Sequence, residues 1–447
     1  MSNAPNRFIF VGYEEKRAAG VVTFHYELER TAKTISFRET LSFDPSFYSG
    51  TKAKQTLIDN ILKNLLLLLG INYWKTYCPE SLIVKPFTLT EDQAKFWNTV
   101  YTKGLGEFFY ENKIDFRNLV RFPFGQSSDL SPSTVATSGD ALVQLGGGKD
   151  SIVTSELLKK HNKQFRLITV NPTRVHSEVA YMISKPLVSV MRTLDPILLR
   201  LNKEDGVNNG HVPVSAMYAF VDLFIGALQG VSYIVASNEE SANYGNVTYL
   251  GSEINHQWSK SLEFEELFRE YVRTYITADI TYFSLLRPMK EIKIVEIFSK
   301  YEQYFDIFTS CNTNFRIGVN RKKQWCGRCP KCAFVFLLLS AFVPKNRLVS
   351  FFQKNLFDDM SLLPSYRELL GLVGIKPFEC VGTPEEAKYA LFKAVKSGQF
   401  VNEPLVRKLK EELGESWSEI AGSGKSLLSL SQTTNIPEAF LPILKSL

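Results

Sequence analysis

Cysteine and histidine are scarce in this chain, six and five among 447 residues. So few cysteines over such a length exclude the disulfide framework of a small secreted domain. Three of the six crowd into Cys326–Cys332 at metal-ligand spacing. No apolar run is long enough to cross a bilayer. The longest, Cys332–Val343, falls short of the roughly 20 residues a spanning helix needs. The first residues carry no apolar stretch of the kind a secretory signal needs, so a cytoplasmic location is expected. Charge of one sign is not in large excess: 52 basic against 46 acidic side chains leave +6. That balance suits an anionic small molecule as well as nucleic acid and does not choose between them. A concentrated Lys/Arg stripe with interleaved aromatics is also missing, which argues against a nucleic-acid surface. No internal repeat or low-complexity tract is present.

Hydrophobic residues make up 45% and charged residues 22%, an ordinary globular balance. A single core stops growing at roughly 250–300 residues, so two or three domains are expected. Residues 8–11, 20–26 and 35–37 have the β-branched and aromatic character of strands. Leu57, Ile58, Ile61, Leu62, Leu65, Leu68 and Leu69 then fall at helical spacing over residues 53–69, with Gly70 as the expected stop. A second helix is expected over Glu91–Tyr110. Residues 1–123 therefore read as an α+β domain. Residues 124–140, polar and turn-rich, read as a linker or mobile loop.

From residue 141 strands and helices alternate. Strands are expected at Ala141–Leu145, Arg166–Val170, Ile197–Leu201 and Ser232–Ala236, and helices at Ser151–His161 and Val214–Leu228. This pattern predicts an α/β fold, a parallel sheet with helices on both faces, over residues 141–345. Ligands on such sheets bind at the carboxyl ends of the strands. Residues 346–447 read as a helical C-terminal region, with helices at Ser365–Leu372, Pro384–Lys396 and Glu403–Leu413.

The first strand of this second region runs straight into Gly146-Gly147-Gly148-Lys149-Asp150-Ser151, and an amphipathic helix follows. The glycines let the backbone turn tightly with its N–H groups free, the helix start adds a positive dipole end, and Lys149 adds a full charge. Together they form a phosphate cradle at residues 146–151. It is not a Walker A loop, because Asp150 follows the lysine and Val143 stands where the first glycine would be. It resembles the PP-loop of the ATP pyrophosphatase superfamily, Ser-Gly-Gly-x-Asp-Ser, through Gly147, Gly148, Asp150 and Ser151, with Gly146 in place of the serine. That resemblance implies a PP-loop, HUP-like core, with ATP bound at the loop and cleaved between its α and β phosphates. It also implies Mg²⁺ on the leaving pyrophosphate, and Lys149 and Asp150 as catalytic residues.

Cys326, Cys329 and Cys332 form a C-x₂-C-x₂-C series, and Cys311 lies upstream beyond an expected strand at Phe305–Thr309. Four thiolates in this order can close a tetrahedral zinc site; an iron–sulfur cluster uses similar spacing. The series resembles the zinc knuckle of 7-cyano-7-deazaguanine synthase, in which case the metal is structural. It precedes an apolar helix, Ala333–Val343, expected to be buried on all sides. Cys78 and Cys380 read as packing residues.

Ser237–Asn246 concentrates polar groups after the fourth expected strand. Asn238, Glu239, Glu240, Ser241 and Asn243 could bind substrate or Mg²⁺ there, or form a solvated turn. Arg287 is a candidate for an anionic group. His176, His211 and His256 each stand beside an expected element end, where a surface or capping role is the plainer account of any one of them.

The N-terminal α+β region, the glycine loop, Ser-Asn-Glu-Glu-Ser-Ala-Asn at 237–243 and Cys-Gly-Arg-Cys-Pro-Lys-Cys at 326–332 together resemble the UDP-N-acetylmuramoyl-L-alanyl-L-glutamate epimerase family, MurL. The likeness implies inversion of the terminal L-glutamate of a UDP-muramoyl dipeptide during peptidoglycan synthesis. ATP and Mg²⁺ would be consumed, with AMP and pyrophosphate as products. His211, His176 and Lys290 are then the candidate bases, His211 first. A PP-loop enzyme of tRNA or deazapurine modification, and a nucleotide-sensing module without turnover, are the alternatives.

Overall fold

The computed structural model describes residues 5–30, 33–315, 324–432 and 435–447. It opens with three strands, β1 (Pro5–Lys16), β2 (Val21–Arg30) and β3 (Lys33–Ser42), paired antiparallel in sequence order. Along β2 every second side chain is buried, Val22, Phe24, Tyr26 and Leu28, so the sheet has one covered face here. The cover is α1 (Gln55–Trp74). Gly70 does not stop this helix, contrary to the expectation from sequence. A Cβ at Gly70 would stand 2.4 Å from Phe10 Cε1, so glycine is what lets the helix lie against the sheet. The helix ends instead past Trp74, whose indole donates to the Pro79 carbonyl at 3.0 Å.

A short strand not foreseen in sequence, β4 (Ser81–Val84), pairs parallel with β1. The helix expected over 91–110 is two: α2 (Glu91–Gly104), started by a Thr90/Gln93 capping box, and α3 (Gly106–Glu111), separated at Leu105. Residues 124–140 form no regular element but are tied down. Leu130 and Val135 are buried, Ser133 N donates to Ile276 O at 2.8 Å, and Val135 N donates to Asp279 Oδ2 at 2.8 Å.

The next strands and helices follow the expected alternation with one exchange. They are β5 (Ala141–Gln144), α4 (Lys149–Lys160), β6 (Phe165–Val170), α5 (Arg174–Ile183) and β7 (Leu187–Thr193). The strand expected at Ile197–Leu201 is instead a helix, α6 (Pro196–Leu201). Asp195 caps it by accepting from Ile197 N at 2.8 Å, and Pro196 takes its first position. Then come α7 (Val214–Gln229), β8 (Tyr233–Ala236), a hairpin of β9 (Val247–Tyr249) and β10 (Ser252–Ile254), α8 (Leu262–Tyr275), β11 (Thr281–Ser284) and α9 (Glu291–Phe298). No strand forms at Phe305–Thr309, which is made of turns.

Nine strands make one sheet in the order β11-β8-β5-β6-β7-β3-β2-β1-β4. The five from β11 to β7 are parallel; β3 then joins β7 antiparallel, pairing Leu41 with Arg192. The sheet is therefore mixed, where the sequence pattern predicted a parallel one. At the seam the Arg192 guanidinium donates to fully buried Glu39 at 2.6 Å. Alternate strand residues feed two cores. Leu142, Ile168, Ile234 and Tyr282 face α1 and α7, whereas Val143, Leu167, Val235 and Phe283 face α4 and α9.

Helices predominate after β11. The apolar α10 (Pro330–Ser340) is buried from Lys331 to Ser340, as its composition predicted. Against it pack α11 (Leu363–Leu369) and α12 (Pro384–Lys396), and α13 (Pro404–Leu413) adds Leu405, Val406 and Leu409 to the same core. No helix among the described residues is long and apolar enough to cross a membrane.

Candidate functional site at the carboxyl ends of the parallel strands

The loop between β5 and α4 has the geometry its glycines require. Gly147 adopts φ +74°, and a Cβ there would meet Val175 Cγ1 at 2.7 Å; at Gly148 it would meet Ser310 Oγ at 2.8 Å. Gly148 is the N-cap of α4 and offers no side chain, so the first N–H groups of that helix have no side-chain cap. Thr309 N donates to Gly147 O at 3.1 Å, which holds the 305–309 turns across the loop.

Lys149 is fully buried, with its ammonium 2.5 Å from Asp150 Oδ1 and 2.8 Å from Glu291 Oε1. Burial favours the neutral amine, but Asp150, Glu291 and Glu239 together hold its pKa above the ordinary lysine value. It is a fixed positive charge. Glu291, at the start of α9, also receives Lys331 at 3.3 Å; burial opposes its charge, and the two lysines overcome that and keep it ionised. Glu239 is buried within reach of the charge of both carboxylates. Burial first, then the charges of Glu291 and Asp150, push it up to about 7.

Of the polar run after β8, Asn238 donates to Ser284 Oγ at 3.1 Å, Ser241 Oγ accepts from Glu291 N at 3.1 Å, and Asn243 Oδ1 accepts from Leu262 N at 2.7 Å. Glu240 pairs with Lys290. Arg287 is buried against Glu265 at 2.9 Å and donates to the carbonyls of Glu239 and Lys260, so its donors serve the protein's own frame. Glu239 is thus the member of this run with a buried carboxylate facing the Lys149 charge network.

The histidines divide. His176 belongs to the capping box of α5, its Nδ1 accepting from Thr173 N at 2.9 Å. Burial holds it at about 4 despite a contact with the Gly146 backbone, so it stays neutral beside the glycine loop. His211 and His256 lie together, ring centroids 4.6 Å apart, and both direct Nδ1 to Glu107 on α3, His211 at 3.3 Å. Burial and the nearby charge of His256 push His211 well below the ordinary histidine value.

Cys380, read from the sequence as a packing residue, has polar partners instead. The structure sets its half-buried thiol 3.7 Å from His256 Nε2 and 3.4 Å from the Lys260 ammonium. Both ring nitrogens of His256 are therefore used, one toward a carboxylate and one toward a thiol. Burial would raise the Cys380 pKa, but Lys260, His256 and Lys331 bring it down to about 5; His256, itself disfavoured by burial, is held up at about 9 by Cys380 and Glu107. The pair is a thiolate and an imidazolium. The segment 376–381 that carries Cys380 is stapled to the chain after β8 and to α10. Asn246 Nδ2 donates to Lys376 O at 3.1 Å and Pro377 O at 2.8 Å, Gln257 Nε2 donates to Val381 O at 3.0 Å, and Lys331 donates to Cys380 O. Through Lys331 and Glu291 this segment joins the charge network of Lys149.

Cys311, Cys326, Cys329 and Cys332 place their sulfurs within 4.8 Å of one another. A tetrahedron with zinc–sulfur bonds of about 2.3 Å has sulfurs about 3.8 Å apart, and Cys326 and Cys332 stand 3.6 Å apart. The donor set fits a tetrahedral metal. Next to it, Asn312 donates to Glu379, the neighbour of Cys380, so the knuckle braces the stapled segment.

A mixed α/β sheet with a glycine loop, a buried charge network and a thiol–imidazole pair at its carboxyl edge defines a protein built for chemistry on a charged small molecule. The model of the MurL N-terminal domain matches residues 1–285, and that of the MurL C-terminal domain matches residues 307–423. Three relatives bear the name UDP-N-acetyl-alpha-D-muramoyl-L-alanyl-L-glutamate epimerase. That of Xanthomonas oryzae pv. oryzae is 34% identical over 91% of this chain and 89% of the relative. Those of Micromonospora sp. and Salinispora tropica are each 35% identical over 93% of this chain, covering 93% and 91% of the relatives. The chain belongs to the MurL family.

Proposed function

We propose that this protein inverts the terminal L-glutamate of UDP-N-acetylmuramoyl-L-alanyl-L-glutamate to D-glutamate, as a step in making the peptidoglycan precursor. The observation that carries this reading is likeness over more than nine-tenths of both chains to relatives named for that reaction. ATP is the second substrate. The glycine loop and the uncapped start of α4 receive its phosphates as a PP-loop does, with Lys149 and Asp150 at their base.

The chemistry follows from the weakness of a carboxylate as an activator of its own Cα–H. Attack of the glutamate carboxylate on the α phosphorus releases pyrophosphate and leaves a mixed anhydride with AMP. The carbonyl then withdraws electrons, and the Cα proton becomes far more acidic. After proton transfer, water cleaves the anhydride. The free N–H groups at the start of α4 meet developing phosphate charge already in place, with the buried charge network of Lys149 beneath them. Glu239 would hold Mg²⁺, which neutralises the pyrophosphate leaving group when bound. The UDP-muramoyl portion supplies binding energy remote from the reacting carbon. Zinc on the four cysteines would brace the 376–381 segment without taking part in bond breaking.

The test is incubation of the protein with the UDP-muramoyl dipeptide, ATP and Mg²⁺, followed by hydrolysis and chiral analysis of the glutamate. D-glutamate is expected. Glutamate that stays wholly L, while a tRNA or deazapurine substrate turns over, would refute the proposal.

A further inference from the structure

We propose that Cys380 is the base that removes the Cα proton, with His256, Lys260 and Glu107 as positioning residues that keep its sulfur ionised; this rests on the epimerase reading above. Geometry carries the assignment. His256 turns Nε2 to the thiol and Nδ1 to Glu107, the connectivity by which a carboxylate orients an imidazole and the imidazole activates a nucleophile or base. Lys260 adds a second cation at 3.4 Å. The backbone around Cys380 is pinned by Asn246, Gln257 and Lys331 rather than left as a surface loop. The same Lys331 reaches Glu291, the partner of Lys149, so the thiol and the glycine loop are two ends of one network.

The other candidate bases are otherwise engaged. Lys290 pairs with Glu240, His176 caps α5, and His211 shares Glu107 with His256. Cys380 is also distinct from the metal knuckle, whose four sulfurs form their own cluster.

The step balances as follows. The Cys380 thiolate takes the proton from Cα, so the C–H bond breaks and an S–H bond forms. The electron pair moves into an enolate of the acyl-adenylate. A solvent-derived proton is delivered to the opposite face, forming the new C–H bond with inverted configuration. Loss of the thiol proton to water restores the thiolate. Nothing is oxidised or reduced.

The experiment uses the full-length protein with ATP, Mg²⁺ and the UDP-muramoyl dipeptide in D₂O. For Cys380→Ser, deuterium entry at Cα and D-glutamate formation should fall by about 10²–10⁴-fold, the usual contribution of a general base. Exchange of labelled pyrophosphate into ATP should persist, because activation precedes proton removal. Deuterium entry at the wild-type rate overturns the proposal, and so does a glutamyl thioester on Cys380 seen by mass spectrometry. His256→Gln supplies a second readout, the pH profile of Cys380 alkylation by iodoacetamide. In the wild type the midpoint should lie near 5, and in the variant it should climb toward the free-thiol value of about 8.5. A wild-type midpoint at the free-thiol value, or one unmoved by the substitution, also overturns the proposal. This readout needs no turnover. A wild-type protein that exchanges pyrophosphate but leaves the glutamate L contradicts the epimerase reading, whatever the alkylation profile shows.

Discussion

Lys149 sits fully buried between Asp150 and Glu291, and its removal leaves Asp150 without its lysine and buried Glu291 with Lys331 alone. Breaking a buried ion pair from one side costs about 3–5 kcal/mol, whereas replacing both partners by neutral groups of similar shape costs far less. Lys149→Met should therefore lower the thermal midpoint and abolish AMP release, and adding Glu291→Gln should not restore the midpoint, because it takes the same carboxylate from buried Lys331. Calorimetry with a nucleotide assay checks this; a single variant as stable as the wild type would show the pair is not buried in solution. The thiolate–imidazolium pair sets a pH window. Lys260, His256 and Lys331 act on Cys380; Glu107 and Cys380 act on His256. Cys380 is held below the ordinary thiol value, so activity should rise as pH climbs through about 5. His256 is held above its ordinary value, so activity should fall as pH climbs through about 9. Stability follows the same signs: the thiolate's contribution is lost as pH falls through about 5, and the imidazolium's as pH rises through about 9. A kcat/KM profile flat between these limits and beyond them would contradict it. The tight loop at Gly146–Ser151 was legible because a strand, three glycines and a helix start follow one another in the chain. Glu107, His256 and Cys380 were not, because three separate segments supply one residue each and none carries a local signature.

At the scale of elements, α1 was recognisable from its leucine spacing but its end was misplaced. A glycine that permits close packing looks in sequence like one that stops a helix. Gly70→Ala gains roughly 1 kcal/mol in helix propensity. It also drives a Cβ to 2.4 Å from Phe10 Cε1, and overpacking of that kind costs about 1–3 kcal/mol. The variant should melt lower, and a higher midpoint would mean that the Phe10 ring gives way to the added methyl at no cost. The strand expected at Ile197–Leu201 failed for a different reason. A short apolar run does not declare its period, and the Asp195-Pro196 start signal decides for helix. The apolar α10 was read correctly because burial on all sides leaves a continuous run. The cysteine knuckle before it gives an element-scale prediction. Cys329→Ser should lower both metal content and thermal midpoint, since thiolate–metal binding is coupled to folding. It should also slow D-glutamate formation, because Asn312 beside the knuckle holds Glu379 next to Cys380. Elemental analysis finding neither zinc nor iron in the freshly purified wild type would contradict this.

At the scale of the molecule, strand–helix alternation disclosed the parallel half of the sheet and the strand ends where the site lies. It could not disclose that β3 docks on β7, because register between distant strands is set by side-chain complementarity such as Glu39 with Arg192. One sheet thus runs through the N-terminal strands and the strand that leads into the glycine loop, and the helical region brings Cys380 against His256 and Lys260. The central claim is that this arrangement activates a carboxylate with ATP so that Cα can be deprotonated. The most direct measurement is turnover of the UDP-muramoyl dipeptide in D₂O, with mass analysis of the glutamate and quantification of the nucleotides. The account predicts Cα deuterium in the D-glutamate product, AMP and pyrophosphate formed alongside it, and no exchange without ATP. Exchange that proceeds without ATP, or ADP and orthophosphate as the nucleotide products, would contradict it.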